Sequence, residues 1–584
     1  MTGAGAPQNV SAPGGSTGRI SGSGGSGGRS ADDQPADRRW WAAGVRMHHP
    51  NMRDLDVGGM DFERFVVESV SLHANSVVIS AAGIVAFYPS AIFGHHVSEL
   101  LQGRDFVGGV TERAHAAGLR VVARVDFAGA REPILRAHPD WVARDAAGET
   151  VRRRGVAGLY ATCPNSPYRG DGFAIPVVRE LLTRYPLDGF HVNGGGWPGH
   201  CFCTFCERDF RAAAGESLPR SRAADHGLWG RYVEWRHQRV AETFRRCAAA
   251  AQALNPDVFW MGELGLRWEG SFDMPAMAGA CSPLLVTTGN VVAAGRAVRS
   301  QAGLAARYTR TVDPDLQPLV NLKVFVQSGG WPRSMVPPAE YRLWTWQALA
   351  NGAGLKLPVF GTLEQDDRRN LPAISAAFAM IERFPEVYRD ARPVAEVALV
   401  WPGRTFDHWT GLDARQGGAG AGSAASAAAS FDGMYTALLQ EHVPFDVLAD
   451  VHLTPERLTR YRVVVLANAA CLEDAAAAVL AGFVQAGGGL LLTAWTGWCD
   501  QWGQPRTAPA LAGLAAVTPL DAPPAAAPGL YLAPPAGVPR PDTAPVLAGL
   551  EDVGLITVDG PAPAIAAGAA GQAVLRLVRH RSVL

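Results

Sequence analysis

The stretch DFVGGVTERAHAAGLRVVARVDF, residues 105–127, contains the unit that decides the fold. It joins a helical pattern that ends at a glycine to a short apolar run typical of a buried strand. A second helical pattern, DFERFVVESVSLH (61–73), begins with an Asp that can cap it. Working outward from this unit, we assign strands to eight apolar runs separated by helical patterns: 42–49, 75–83, 119–127, 187–193, 257–263, 283–289, 322–328 and 355–361.

Eight strands that alternate with helices predict an α/β fold of the (β/α)8 TIM-barrel class. The alternative is an open, doubly wound sheet followed by another domain. A shorter alternation of strands and helices starts near residue 394 and predicts a flavodoxin-like domain. A low-complexity loop is expected at 417–430, within the first strand-to-helix connection of that domain.

These patterns divide the chain into four expected regions. Residues 1–38 are rich in Gly and Ser and should form a disordered tail, because such a segment buries too little apolar surface to order itself. Residues 39–392 should form the barrel, and residues 393–518 the flavodoxin-like domain. Residues 519–584 are rich in Pro and Ala and contain short strand-like pieces, which predict a small β-rich segment.

Composition excludes several classes of protein. Hydrophobic residues make up 48% of the 584 positions, enough for a large core, and the net charge of −1 argues against a nucleic-acid binder. We find no apolar run near the ~20 residues of a membrane span and no secretory leader, so we expect no membrane partner and a cytoplasmic location.

The basic residues are nearly all Arg, with Lys only at Lys323 and Lys356. We attribute this bias to GC-rich coding and infer no function from it.

The most specific motif is CFCTFC, which places Cys201, Cys203 and Cys206 within six residues. Three thiolates at this spacing can converge on one tetrahedral Zn²⁺. The fourth ligand would be Cys163, with His200 as the alternative. Four protein ligands would close the site and make the zinc structural. The other interpretation is a set of reduced thiols packed in a loop.

Polar residues also follow the barrel strands, and barrel enzymes carry their active sites at the carboxyl ends of the strands. Because side chains alternate along a strand, Arg124 shares a face with Asp126, and His191 shares a face with Asn193. The alternative is a network of satisfied polar groups within the core. The candidates at the strand ends are His48, His49, Arg124, Asp126, His191, Asn193, Glu263 and Gln327.

Taken in order, several motifs resemble the hypothetical glycosyl hydrolase 6 family, which is related to the family 42 β-galactosidases and the family 29 α-L-fucosidases. They are RMHHPNM, VVISAAGIVAFYPS, GRDFVGGVTERAHAAGLRVVARVDF, HPDW, CPNSPY, LDGFHVN, CFCTFC and WTWQALANGAG. In the second domain, FDGMYTALLQEHVPFDVLAD, YRVVVLANAACL and FVQAGGGLLLTAW resemble the β-galactosidase trimerisation domain. The resemblance covers about residues 40–520.

This resemblance implies a carbohydrate-active barrel and a homo-oligomer, specifically a trimer. It also implies a structural zinc site like that of the family 42 enzymes, which supports Cys163 as the fourth ligand. Two family patterns are broken, however. The family 42 pattern has a Glu after the Asn at the end of strand 4 and another Glu on strand 7, but Asn193 is followed by Gly194 and LKVFVQS has no Glu. The fucosidase-like pattern has an Asp where this chain has Asn193.

The remaining carboxylates, Glu263 and Asp126, are therefore the expected catalytic pair of a glycoside hydrolase, since hydrolysis generally uses two carboxyl groups. Asp126 has an alternative role in binding sugar hydroxyls. Two other functions remain open: a sugar-binding relative without catalysis, and a purely structural subunit of an oligomer. The expected sugar-binding residues are His48, His49, Arg124, His191, Asn193, Trp197 and Gln327.

Overall fold

The computed structural model describes most of the chain from residue 40 onward. The described ranges are 40–42, 44–153, 157–221, 225–266, 272–282, 284–287, 300–314, 318–323, 334–359, 361–364, 367–389, 392–409, 421–515, 517–519, 530–533, 556–558, 565–567 and 576–579. The expected N-terminal tail lies outside them. Within these ranges, no helix combines the length and the hydropathy needed to cross a bilayer.

Eight parallel strands close into a barrel in which each strand pairs with the next along the chain and the last pairs with the first. The predicted TIM barrel is therefore confirmed, and the open sheet is excluded. The strands are β1 (Arg46–Pro50), β2 (Ser76–Gly83), β3 (Arg120–Asp126), β4 (Gly189–Val192), β5 (Phe259–Gly265), β6 (Leu284–Thr287), β7 (Pro318–Asn321) and β8 (Gly354–Val359).

Helices surround the barrel, and local sequence signals set their starts. Asp61 and Asp105 cap two of them by accepting backbone N–H groups of the first turn. The longer helices are Phe62–Ser71, Phe106–Ala116, Ala174–Arg184, Thr204–Ala214, His226–Gln252, Gln301–Val312, Pro338–Ala350 and Leu371–Arg383. The shorter helices and turns are Trp40–Ala42, Asp54–Gly58, Glu99–Leu101, Glu132–Ala137, Pro167–Arg169, Met274–Met277 and Pro385–Arg389.

The seventh strand differs from its predicted position. It occupies Pro318–Asn321 rather than 322–328, and its Leu319 pairs with Gly354 of β8. The run PLVNLKVFV is apolar almost throughout, so periodicity alone does not fix which part of it enters the sheet. Pairing with β6 and β8 makes that choice. Asn321 is therefore at the end of this strand, and Gln327 lies outside the described residues.

An antiparallel hairpin follows β3 and precedes β4, with strands Gly129–Arg131 and Leu159–Ala161. The segment between these strands returns over the barrel and carries Arg153, whose N–H donates to the Leu159 carbonyl. β3 lies so close to β2 that a Cβ atom at position 83 would be only 2.1 Å from the backbone oxygen of Asp126. Glycine with a φ of 111° satisfies this contact.

A second parallel sheet contains β9 (Val397–Trp401), β10 (Phe445–Ala449), β11 (Val463–Ala467) and β12 (Gly489–Thr493). Its order, β10-β9-β11-β12, is the flavodoxin-like arrangement, as predicted. The helices around it are Thr405–Trp409, Ala421–Gln440, Asp450–His452, Pro455–Leu458, Asp474–Gln485 and Ala512–Ala515. The expected loop at 417–430 is wrong in its second part, because the alanine-rich residues 421–430 begin a helix.

The barrel and this sheet pack directly on one another. Tyr308, on a barrel helix, stacks on Trp401 of β9 with ring centroids 4.9 Å apart. Arg404, just beyond β9, donates to Glu234 of the barrel at 3.0 Å and to Glu473 at 3.1 Å. Its backbone N–H donates to Asp450 at 2.8 Å. We call Arg404 and the acids around it the junction cluster: Glu234, Asp273, Asp407, Asp450 and Glu473.

The C-terminal segment contributes two small antiparallel sheets. Val517–Pro519 pairs with Ile565–Ala567, and Leu530–Ala533 pairs with both Ile556–Val558 and Arg576–Arg579. The predicted small β-rich segment is confirmed in these described strands.

Candidate functional site

Glu263 is the carboxylate that projects from β5 into the barrel. Its Oε2 lies 3.4 Å from His191 Nε2, and its Oε1 accepts a hydrogen bond of 3.3 Å from Asn321 Nδ2. The side chain is 23% exposed, whereas that of His191 is fully buried, so a ligand can reach the carboxylate but not the imidazole. Burial raises the pKa of Glu263, but His191 and Lys356 outweigh it and hold that pKa well below its usual value.

Three buried basic side chains lie around this carboxylate. His49 and His191 pack edge to face with ring centroids 5.4 Å apart. Lys356 projects from β8 and is 0% exposed. Burial lowers the pKa of His191 to about 3 and that of Lys356 to about 7, so both imidazoles are neutral near pH 7 and the ammonium is near its titration point. We call these residues, with their neighbours, the mouth cluster: His49, Arg124, His191, Glu263, Asn321, Lys323 and Lys356.

Asp126, at the end of β3, belongs to a separate pairing. Arg153 donates to both of its oxygens, at 2.9 and 3.1 Å. Asn193 Nδ2 donates to Oδ2 at 2.7 Å. Burial raises the pKa of Asp126, yet Arg153, Arg124 and Asn193 bring it below its usual value. The carboxylate is therefore ionised and held in place. The structure brings Asp126 and Asn193 together through a direct hydrogen bond. This bond uses Oδ2 of the carboxylate.

Two expected sugar-binding residues lie elsewhere. His48 is next to His49 and so points to the opposite face of β1, where its Nδ1 lies 2.9 Å from Ser69 Oγ on the surrounding helix. Trp197 is only 7% exposed, and its Nε1 donates to the Arg236 carbonyl. Its ring packs on Trp235 and under the Arg236 guanidinium, so it offers no open face to a sugar.

Sequence reasoning missed four residues of these two groups: Arg153, Asn321, Lys323 and Lys356. Asn321 was missed because the seventh strand was placed too late. Arg153 lies in a loop of three consecutive arginines that carries no distinguishing signal. The two lysines did carry a signal, because they are the only lysines of the chain.

The four expected cysteines converge. The sulfurs of Cys163, Cys201, Cys203 and Cys206 all lie within 4.8 Å of one another, and all four residues are buried. Cys206 Sγ is 3.3 Å from Cys163 Sγ and 3.5 Å from Cys203 Sγ. His200 is instead packed among aromatic rings. Its ring centroid lies 4.4 Å from that of Phe202 and 4.5 Å from that of Tyr232. This buried cluster of cysteines could bind a metal ion.

Comparison with protein families confirms the resemblance. Residues 61–194 match the model of the family described as hypothetical glycosyl hydrolase 6. Residues 395–522 match the model of the beta-galactosidase trimerisation domain. A search of curated proteins gives no match.

Solved structures of glycosidases share the fold. The beta-galactosidase of Bacillus circulans sp. alkalophilus is 15% identical with a TM-score of 0.70, covering 92% of this chain and 82% of that one. The alpha-L-fucosidase isoenzyme 2 of Paenibacillus thiaminolyticus is 20% identical with a TM-score of 0.68, covering 92% and 75%. The beta-galactosidase of Halorubrum lacusprofundi is 17% identical with a TM-score of 0.65, covering 91% and 82%.

Proposed function

We propose that the protein is a glycoside hydrolase whose reaction takes place at the carboxyl ends of the barrel strands. The observation that carries this proposal is Glu263, an accessible carboxylate kept ionised among buried basic groups. The matches to a glycosyl hydrolase family and the fold shared with β-galactosidases and an α-L-fucosidase support it.

Glu263 would act as the nucleophile or the base, because both roles require an ionised carboxylate. His191 and Asn321 orient it through its two oxygens. Asp126 would be the second carboxylate, and Arg153, Asn193 and the backbone N–H of Ala128 hold it in place by donating to its two oxygens. Arg124 and Asn193 would bind sugar hydroxyls beside it, while His49 supports His191 from below.

Glu263→Gln and Asp126→Asn, assayed with a panel of aryl glycosides, test these roles. We expect Glu263→Gln to lower turnover at least about a thousandfold, since the amide can neither attack nor accept a proton. The anomer released by the parent enzyme distinguishes a nucleophile from a base. Glu386→Gln, at an exposed helical position, is the matched control. Unchanged turnover in both site variants would reject the assignment.

A second candidate function is sugar binding without catalysis. Both carboxylates have lowered pKa values, whereas a general acid needs a raised one, and Asn193 occupies the position where the resemblance implies an acid. Calorimetry that detects a sugar, together with no turnover on any aryl glycoside, would favour this function over hydrolysis.

The cysteine cluster would hold a structural Zn²⁺. Four thiolates bound at ~2.3 Å from one zinc lie ~3.8 Å apart, close to the sulfur separations seen here. Burial raises the pKa of the Cys163 and Cys206 thiols, so a cation is needed to keep all four sulfurs ionised together. Metal analysis of the purified protein should find one zinc per chain, and Cys206→Ser should lose it. A metal-free protein of unchanged stability would reject this site.

The domain that matches the trimerisation model would assemble three chains. Sedimentation at micromolar concentration should therefore give the mass of a trimer. A monomer under these conditions would contradict the assembly but leave the proposed chemistry unaffected.

A further inference from the structure

Arg169 is a buried arginine that joins two separate stretches of backbone. It ends the short turn Pro167–Arg169 and is 4% exposed. Its Nε donates to Thr162 Oγ1 at 2.9 Å, and its Nη2 donates to the Thr162 carbonyl at 3.1 Å. Its Nη1 donates to the carbonyls of Gly195 and Gly196, at 2.6 and 3.0 Å. One planar guanidinium, with donors fixed in a fork, therefore holds both stretches at once.

The first stretch fixes the backbone that follows Asp126. Thr162 Oγ1 donates to the Phe127 carbonyl at 2.5 Å, and the Thr162 N–H donates to the Ala128 carbonyl at 3.2 Å. The Ala128 N–H in turn donates to Asp126 Oδ1 at 3.0 Å. Thr162 thus connects the guanidinium of Arg169 to the segment that supplies one donor to the Asp126 carboxylate.

The second stretch follows Asn193, which supplies another donor to the same carboxylate. Asn193 Nδ2 donates to Asp126 Oδ2 at 2.7 Å, and the two carbonyls that Arg169 binds come directly after Gly194. The two stretches also touch, because a Cβ at Gly194 would lie 3.1 Å from that of Ala128. Arg169 therefore sets the position of the chain on both sides of the Asp126 carboxylate.

The guanidinium is suited to this task in a way that an ammonium is not. Burial lowers the pKa of Arg169 to about 10, against the opposing effects of Cys163 and Asp126, so the group is cationic at neutral pH. Hydrogen bonds from a charged donor are stronger than neutral ones, and a buried carbonyl that loses its donor is costly. Lysine carries its three donors on one atom and cannot span both stretches.

We propose that Arg169 is a positioning residue for the pair formed by Asp126 and Asn193. It holds the two segments from which the Ala128 N–H and the Asn193 amide reach the carboxylate. Because its side chain is buried, it would act through Asp126 and not on the sugar itself. The inference deepens the proposed function, since its effect on turnover rests on Asp126 being the second carboxylate. Its effect on the backbone does not depend on any activity.

Hydrogen exchange of the full chain, followed by mass spectrometry, tests the proposal in Arg169→Lys. We expect the amides of residues 126–129 and 193–197 to exchange about tenfold or more faster, and the helices around the barrel to exchange as in the parent protein. Arg246→Lys is the same substitution at a half-exposed arginine that pairs with Asp171, and it should leave both segments unchanged. Faster exchange in neither segment, or throughout the barrel, would overturn the inference.

Thr162→Val is a second variant, which decides the matter if Arg169→Lys does not fold. It removes the hydroxyl that links Arg169 to the Phe127 carbonyl but keeps the Thr162 carbonyl. Exchange should therefore rise at residues 126–129 and stay as in the parent protein at 193–197. A folded Thr162→Val with unchanged exchange at 126–129 would contradict the proposed connection.

Turnover of aryl glycosides gives a readout that loss of stability alone would not move. Arg169→Lys should lower kcat about tenfold with little change in KM, and the fall of activity in acid should begin at higher pH, because Asp126 with weaker donors has a higher pKa. Arg246→Lys should show neither change. An unchanged pH profile in an active Arg169→Lys would overturn the link to Asp126. No turnover by the parent protein would reject the proposed function, and exchange would still decide whether Arg169 positions the pair.

Discussion

Buried carboxylates in the mouth region and in the junction cluster have pKa values that move in opposite directions. At the mouth, the pKa values of Glu263 and Asp126 are lowered. At the junction, burial raises the pKa of Asp273 and Asp450 to about 6 and that of Asp407 still further from its usual value. Burial raises the pKa in both places, so burial does not decide the direction.

The number of facing cations decides it. Arg124, Arg153, Lys323 and Lys356 surround the two mouth carboxylates. At the junction, Arg404 is the cation that faces these acids among the described residues, and Asp450, Glu234 and Glu473 share it. A site that must present an ionised carboxylate to a ligand needs such an excess of cations. An interface between two parts of a chain can instead keep its acids partly protonated.

The largest effect on stability should come from Arg404→Met. It removes the cation that the junction acids share and leaves Asp450 buried without its charge partner. We expect a loss of about 2–4 kcal/mol in the free energy of unfolding, measured by urea denaturation. Arg462→Met, at a 79% exposed position paired with Glu396, is the matched control and should change stability little. Equal losses in the two variants would mean that the junction acids do not depend on Arg404.

The pH dependence of stability should be the next largest effect. Asp273 and Asp450 have a pKa of about 6 when folded, against 3.8 for the ordinary carboxyl group. Because the folded-state pKa is raised, these acids favour the folded protein fully below the unfolded value, and that contribution is lost as pH rises toward 6. We expect a loss of about 2–3 kcal/mol from each acid over this interval. In Asp450→Asn, the urea midpoint should vary less with pH than in the parent protein. An equal dependence on pH in the two proteins would contradict the assignment.

Arg153→Met should have the smallest effect, and it should make the two regions more alike in the pKa values of their acids. Without its bidentate partner, Asp126 should resemble a junction acid, because burial would then raise its pKa with less opposition. Since the pKa of Asp126 is now lowered, its pairing stabilises the fold above the unfolded pKa and is lost as pH falls. The variant should therefore lose about 1 kcal/mol near neutral pH and less in acid. Arg136→Met, on the exposed surface, provides the comparison, and identical pH profiles for both variants would contradict this role.

Much of the candidate site followed from strand ends, and the errors have a common cause. His49, Arg124, Asp126, His191 and Glu263 lie at the strand positions that the sequence predicts, because polar residues in apolar strands stand out in sequence. His48 was assigned to the same site because a pair of adjacent histidines gives no indication of which one faces inward. Trp197 was assigned by chemistry, but the long helix His226–Gln252 covers its ring. The partners Arg153 and Asn321 depend on a returning loop and on strand register, which periodicity does not record.

The sequence by itself determined the barrel, the flavodoxin-like sheet and the grouping of Cys201, Cys203 and Cys206, while the structure decided that Cys163 rather than His200 joins them. These follow from alternating local patterns and close spacing, which act over short stretches of chain. Only the tertiary structure decided the electrostatics of the site. Lys356, Glu263 and His191 come from three different strands, and their mutual effects on pKa exist only when the closed barrel brings those strands together and removes water between them. Charge summed along the chain is nearly zero, but charge gathered by folding is not.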